Sequence, residues 1–119
     1  MKMIVAIVRP ERIEAIEEAL ASVLDEGDRY RITVDTVEGH GRQEGEVEIF
    51  RGQRVRSGKI QKTRLTVCVN DGYVEKTIDA IVSAARSEGG GAVGDGKIFV
   101  MPLEQVVRIR TGERGEKAI

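Results

Sequence analysis

Apolar and polar positions along the chain follow two rhythms, one suited to strands and one to helices. Residues 2–8, KMIVAIV, form a nearly continuous run rich in Ile and Val, the pattern of a strand covered on both faces and therefore central in its sheet. Pro10 suits the first turn of a helix, and Ile13, Ile16, Leu20, Val23 and Leu24 recur at helical spacing with Glu11, Glu14, Glu17 and Glu18 between them. Asp25-Glu26-Gly27-Asp28 stops that helix, and residues 31–37, RITVDTV, alternate as a half-buried strand should. From 38 to 61 the periodicity lapses into glycines and charges, relieved only by Val47, Ile49 and Phe50. A connection of that length is either functional or disordered. Residues 62–69, KTRLTVCV, resume as a strand, and Asn70-Asp71-Gly72 supplies a turn and a helix start. Val74, Ile78, Ile81, Val82 and Ala85 mark a second amphipathic helix that ends in residues 87–91. Ile98-Phe99-Val100-Met101, halted by Pro102, predicts a fourth strand, and 105–110, QVVRIR, a short alternating fifth.

This order is the βαββαβ plan of a ferredoxin-like α+β sandwich, with residues 1–119 as a single domain carrying one long loop and a short C-terminal strand. Two helices cover one face of the sheet. Met3, Val5 and Ile7 and their strand neighbours make the other face too apolar for water, so self-association in a cyclic oligomer is the economical way to cover it, with loops of neighbouring subunits brought together.

Composition narrows the partners. Nineteen basic and twenty acidic side chains leave a net charge of −1, and aromatics are 3% with no Trp. Neither a general attraction to nucleic acid nor a set of stacking platforms for single strands is present. The N-terminal apolar run is too short for a signal peptide or a membrane span, which predicts a cytoplasmic protein with no direct membrane insertion. The single cysteine, Cys68, sits in an apolar run and is expected to be a buried thiol.

Three glycine or arginine clusters stand at predicted strand ends. Gly94-Asp95-Gly96-Lys97, after Gly89-Gly90-Gly91, can take positive φ and expose N–H groups beside a cation, which suits phosphate. The spacing of Gly91, Gly96 and Lys97 mimics a P-loop, but Ile98 replaces the magnesium-binding Ser or Thr and a strand follows instead of a helix. A mobile connector with a solvated Lys97 is the plain alternative. Arg108 and Arg110, two apart on a strand, would share a face and grip a polyanion, or else line a solvated edge. Gly39-His40-Gly41-Arg42-Gln43 is a second glycine-flanked bend, or merely a loop entrance. His40 has neither a second His nor a cysteine pair with which to form a zinc site. No nucleophile stands with a base, so the residues offer binding without evident catalysis.

The start Met1-Lys2-x-Ile4-x-Ala6-Ile7-Val8-Arg9-Pro10, the entry Gly39-His40-Gly41-Arg42-Gln43-x-Gly45, the stretch Glu48-Ile49-Phe50-Arg51-Gly52, the run from Gly94 to Val100, and the end from Val107 to Glu113 followed by Ala118-Ile119 closely resemble the PII signal-transduction family of nitrogen regulation. The resemblance runs nearly end to end. It implies a homotrimer of ferredoxin-like subunits with clefts between neighbours where ATP and ADP compete. It also implies a flexible T-loop, here about 38–61, that docks on a target enzyme or a membrane transporter. On this resemblance a phosphate loop at about 87–97 would use Gly94, Asp95, Gly96 and Lys97, joined by Arg108 and Arg110 of a C-terminal segment at 105–119. Ile7, Thr33, Gly39 and Cys68 would line the adenine and ribose side, and Gly41, Arg42 and Gln43 the phosphate end. Gln43 would help hold a magnesium-bound 2-oxoglutarate, only together with ATP, and Lys62 would pair with its carboxylate. Arg51, Gly52, Arg54 and Arg56 would meet the partner.

Departures accompany the likeness. Val55 stands where many relatives have a uridylylated tyrosine, and Gln53 where another branch has a phosphorylated serine, so neither covalent switch is expected. Thr66 and Ala92 replace an acid and a lysine found in many relatives, and residues 51–59 are more basic than usual. The leading expectation is a ligand-controlled regulator and not an enzyme. The alternatives are a slow nucleotide hydrolase in the same cleft and a trimeric ion-tolerance module of related architecture.

Overall fold

The computed structural model describes residues 1–24, 32–40, 47–50, 53–56 and 59–119, with only the backbone for 47–50 and 53–56. In chain order the elements are β1 (Lys2–Val8), α1 (Ile13–Val23), β2 (Thr33–Gly39), β3 (Val47–Phe50), β4 (Gln53–Arg56), β5 (Ile60–Val69), α2 (Val74–Ala85) and β6 (Gly96–Pro102), with 3-10 turns leading into both helices. The apolar N-terminal run is central as predicted, since β1 pairs antiparallel with β5 on one side and with β6 on the other. β2 extends the sheet beyond β5, giving the order β2-β5-β1-β6. Every neighbouring pair is antiparallel, which is the ferredoxin-like βαββαβ arrangement.

Period-two burial decides what each face does. Ile4, Ala6 and Val8 of β1 and Leu65, Val67 and Val69 of β5 are buried against Ile16 and Leu20 of α1 and Ile81 and Ala85 of α2. Each fully buried aliphatic side chain contributes roughly 1.5–3 kcal/mol. Thr77, also buried, satisfies its hydroxyl by donating to the Tyr73 carbonyl at 2.6 Å. The alternate residues face away from the helices. Register puts Met3 beside Cys68 and Met101, and Val5 beside Thr66 and Phe99, and Phe99 and Met101 remain 49% and 41% exposed. Cys68 lies on this open face and is partly covered, not sealed in the core as expected, and burial pushes its thiol pKa up. A fork-like ion pair crosses the same face: Arg64 donates to Asp35 from Nε at 3.0 Å and from Nη2 at 2.6 Å.

Three boundaries differ from the sequence reading. β2 continues to Gly39 and β5 begins at Ile60, so strand pairing extends into the stems of the long connection. Within it β3 and β4 pair antiparallel from Val47↔Arg56 to Phe50↔Gln53, where the few apolar residues were too sparse to signal a strand. The fifth strand over 105–110 does not form. Val107 makes one bridge with Arg114, and the chain reverses between them, with Gly112 in the left-handed region at φ 72. Alternation in QVVRIR therefore reflects a turn, and Arg108 and Arg110 do not share a strand face. β6 includes Pro102, tolerated because β6 is an edge strand.

Gly96 begins β6 at φ 110, and a Cβ there would lie 1.7 Å from the Ile7 carbonyl oxygen. Gly89, at φ 82, has open space around the same position. Gly89→Ala is therefore expected to cost about 1 kcal/mol, the left-handed penalty alone, whereas Gly96→Ala adds overpacking and should cost at least roughly 2–4 kcal/mol. Urea denaturation of the two variants checks the difference, and equal losses would contradict the close approach.

Candidate functional site

The glycine-rich connection between α2 and β6 is shaped by one carboxylate. Asp95 Oδ2 accepts the backbone N–H of Ser87 at 3.0 Å and of Ala92 at 2.9 Å, while Oδ1 accepts the Ser87 hydroxyl and the Nε of Arg9, the latter at 3.1 Å. These donors hold the Asp95 carboxyl far below the usual carboxylate range, the Ser87 hydroxyl foremost. Positive φ at Gly89, Gly90, Gly91, Gly94 and Gly96 lets the chain wrap this acid so tightly.

Cations of two further strands fasten the loop. Arg9, just past β1, also donates from Nη2 to the Val93 carbonyl at 2.9 Å. Lys62, on β5, donates to the Gly94 carbonyl at 2.5 Å. Burial pulls the Lys62 ammonium pKa down, and the neighbouring Arg9 charge adds to that. Beside the loop opens a groove of about 800 Å³ lined by Ile7, Gly39, His40, Lys62, Gly94, Gly96 and Lys97 among others. Lys97 makes no ion pair among the described residues. A groove with backbone N–H groups at its glycines and two lysines on its wall is suited to an anion.

The sequence-predicted residues divide into two sets. Ile7, Gly39, Lys62, Gly94, Gly96 and Lys97 converge on the groove. Asp95 belongs to the loop, but its side chain is turned to the loop's own donors. Thr33, Cys68, Arg108 and Arg110 lie off the groove: Thr33 stands level with the middle of the sheet, Cys68 beyond it, and the C-terminal turn that carries the two arginines is tied to the far end. Register sets Thr33 opposite Thr66 and Cys68 opposite Met3. Arg108 is tied there by its Nη2, which donates to the Lys117 carbonyl at 3.0 Å, and by an ion pair of Nη1 with Glu113 at 3.3 Å. Asn70, at the end of β5, in turn donates to the Glu116 carbonyl. β6 runs from Gly96 beside Val8 to Pro102 beside Lys2, so about 20 Å of strand separates the glycine loop from the end of the sheet where Asn70 meets the C-terminal turn. Gly41, Arg42, Gln43, Arg51 and Gly52 lie outside the described residues, and Arg54 and Arg56 are described only as backbone of β4.

Arg9 and Ser87 were missed from the sequence. Nothing in their spacing links them to Asp95; only the antiparallel return of β6 beside β1 brings Arg9 to the loop. Among the described residues no group of three or more His, Cys, Asp or Glu side chains could hold a metal ion, and no helix is long and apolar enough to cross a membrane.

A profile of the family described as "Nitrogen regulatory protein P-II" matches residues 1–113. A "Nitrogen regulatory protein GlnK1" of Methanosarcina mazei is 42% identical over 119 residues, covering 100% of this chain and 97% of its own. The "Nitrogen regulatory protein P-II 2" of Methanothermobacter thermautotrophicus is 44% identical over the same 119 residues, again covering 100% and 97%. A "Nitrogen regulatory protein P-II" of Azospirillum brasilense is 44% identical, covering 100% of both chains.

Asp95 gives the loop a signed pH dependence. Its folded pKa is depressed, so its contribution is complete above the ordinary aspartate range, about pH 4, and is lost as pH falls through the folded value. Backbone amide shifts of Ser87 and Ala92 followed by NMR should stay constant from neutral pH to about 4 and move only in stronger acid. In Asp95→Asn that acid transition should disappear.

Proposed function

This chain belongs to the nitrogen regulatory protein P-II family, and we propose that it is a cytoplasmic regulator, not an enzyme, that senses adenine nucleotides and acts on a partner through residues 38–61. The proposed assembly is a homotrimer. ATP or ADP binds between neighbours, with or without Mg²⁺ and 2-oxoglutarate or another small anion, and the bound ligand sets the conformation of the long connection. The partner is a target enzyme or a membrane transporter. Relatives named as nitrogen regulatory proteins over the full length of the chain support the regulatory role.

The observation that carries the cleft is the separation, along β6, of the glycine loop from the end of the sheet that holds the C-terminal turn. A ligand long enough to need both the glycine loop and Arg108 or Arg110 cannot find them together in one copy. A heterologous contact, in which the C-terminal turn of one copy meets the glycine loop of the next, brings them together and closes into a ring. Two further features favour such contact: the open apolar sheet face, and Ile109, fully exposed between the two arginines. Lys62 then connects ligand to output. It sits where the long connection enters β5 and already touches Gly94, so a bound anion at the loop bears directly on the stem.

Isothermal titration with ATP and ADP tests the reading, and no heat with either would sink it. Arg110→Ala is expected to weaken ATP binding by roughly 1.5–3 kcal/mol, the range for a charge-assisted contact. Lys97→Ala should weaken it similarly. If the cleft lies between copies, unfolding and refolding these two variants together restores about a quarter of the clefts to wild-type composition. No recovery of tight sites in the mixture would place both residues in a single-copy site and overturn the shared cleft.

A further inference from the structure

An acid in a loop that receives phosphate is an electrostatic contradiction, since a carboxylate repels the ligand that the neighbouring N–H groups attract. Asp95 is tolerable there only while its charge is consumed. Among the described residues, three of its four donors are the loop's own Ser87 and Ala92 groups, which are neutral. The fourth is the guanidinium of Arg9, the one cation paired with this carboxylate among the described residues, at 3.1 Å and with 19% of its side chain exposed.

We propose that Arg9 is the positioning residue of the phosphate loop, acting through Asp95 and the Val93 carbonyl and not by touching the ligand. This rests on the nucleotide reading given above and deepens it. The guanidinium fork makes two contacts from one rigid plane, Nε to the carboxylate and Nη2 to the Val93 carbonyl. The first cancels the charge of Asp95 and aligns its oxygens for the Ser87 and Ala92 amides. The second, with Lys62 on the next carbonyl at Gly94, turns two successive C=O dipoles toward the β1 and β5 side of the loop. Peptide planarity then turns the N–H of the following residue the opposite way in each case. One of these, on Asp95, returns to the Ala92 carbonyl at 3.2 Å, and the other, on Gly94, is directed away from Arg9. Because Arg9 follows β1 directly and Ile7 of β1 lines the groove, the loop is held in fixed relation to the strand that forms the opposite wall. Removing Arg9 exposes the Asp95 charge and frees the loop's geometry together.

The test uses Arg9→Gln, Asp95→Asn and the double variant in the full-length chain, with ATP as probe. Arg9→Gln should bind ATP about tenfold or more weakly. The double variant should bind no more weakly than Arg9→Gln alone, because removing the acid removes what Arg9 opposes. Losses that multiply in the double variant would mean that Arg9 acts on the ligand independently of Asp95 and would overturn the proposal. Amide hydrogen exchange without nucleotide supplies a second reading. Ser87 and Ala92 should exchange about tenfold faster in Arg9→Gln while core amides of β1 and β5 are unchanged. Unchanged exchange at those two amides would overturn the clamp whatever the chain binds, whereas failure of the unaltered chain to bind ATP would overturn the nucleotide reading.

Discussion

β1 has hydrogen-bonded neighbours on both sides and apolar side chains on both faces, while the chain supplies helices for only one of those faces. Everything else in the molecule answers to that imbalance. Ile4, Ala6 and Val8 take the helices; Met3, Val5 and Ile7 are left with Phe99, Met101 and Cys68 on a face that water covers poorly. The register fixes that division, since a slip of one residue on β1 would exchange the two faces entirely. On the same face, the guanidinium of Arg64 and the carboxylate of Asp35 satisfy each other.

The same strand organises the groove. β6 returns antiparallel along β1, so the glycine loop arrives beside Arg9 and Ile7, and the C-terminal turn departs from the far end. Local charge and global topology agree here. Cations approach the loop from the side of β1 and β5, the acid within it is consumed, and Lys97 stands on the groove wall. The glycine loop and the C-terminal turn therefore stand toward opposite ends of one sheet.

Elements with a clear period were legible from the sequence: β1, α1, α2 and the core of β5 fall where alternation and helical spacing put them. The backbone of the motif Gly94 to Lys97 was legible too, since Gly94 and Gly96 take the positive φ that their residue type allows. What was not legible depended on distant contacts. The β3–β4 pairing rests on hydrogen bonds across residues with little apolar pattern. QVVRIR alternates like a strand, yet two left-handed glycines downstream, Gly112 and Gly115, fold it into a turn. Asp95 looked like a ligand group in the sequence, and its actual partners, Ser87 and Arg9, are eight and eighty-six positions away.

The close approach of Gly96 to the Ile7 carbonyl bears on how such chains diverge. That glycine is demanded by the backbone of β6, whatever the groove binds, and Asp95 is demanded by the loop that precedes it. A descendant whose groove bound nothing would keep both, and its sequence would still carry most of the motif from Gly94 to Lys97. Lys97 makes no ion pair among the described residues, so the fold leaves that position free to drift. Half of the motif answers to shape, and the lysine to whatever the groove meets.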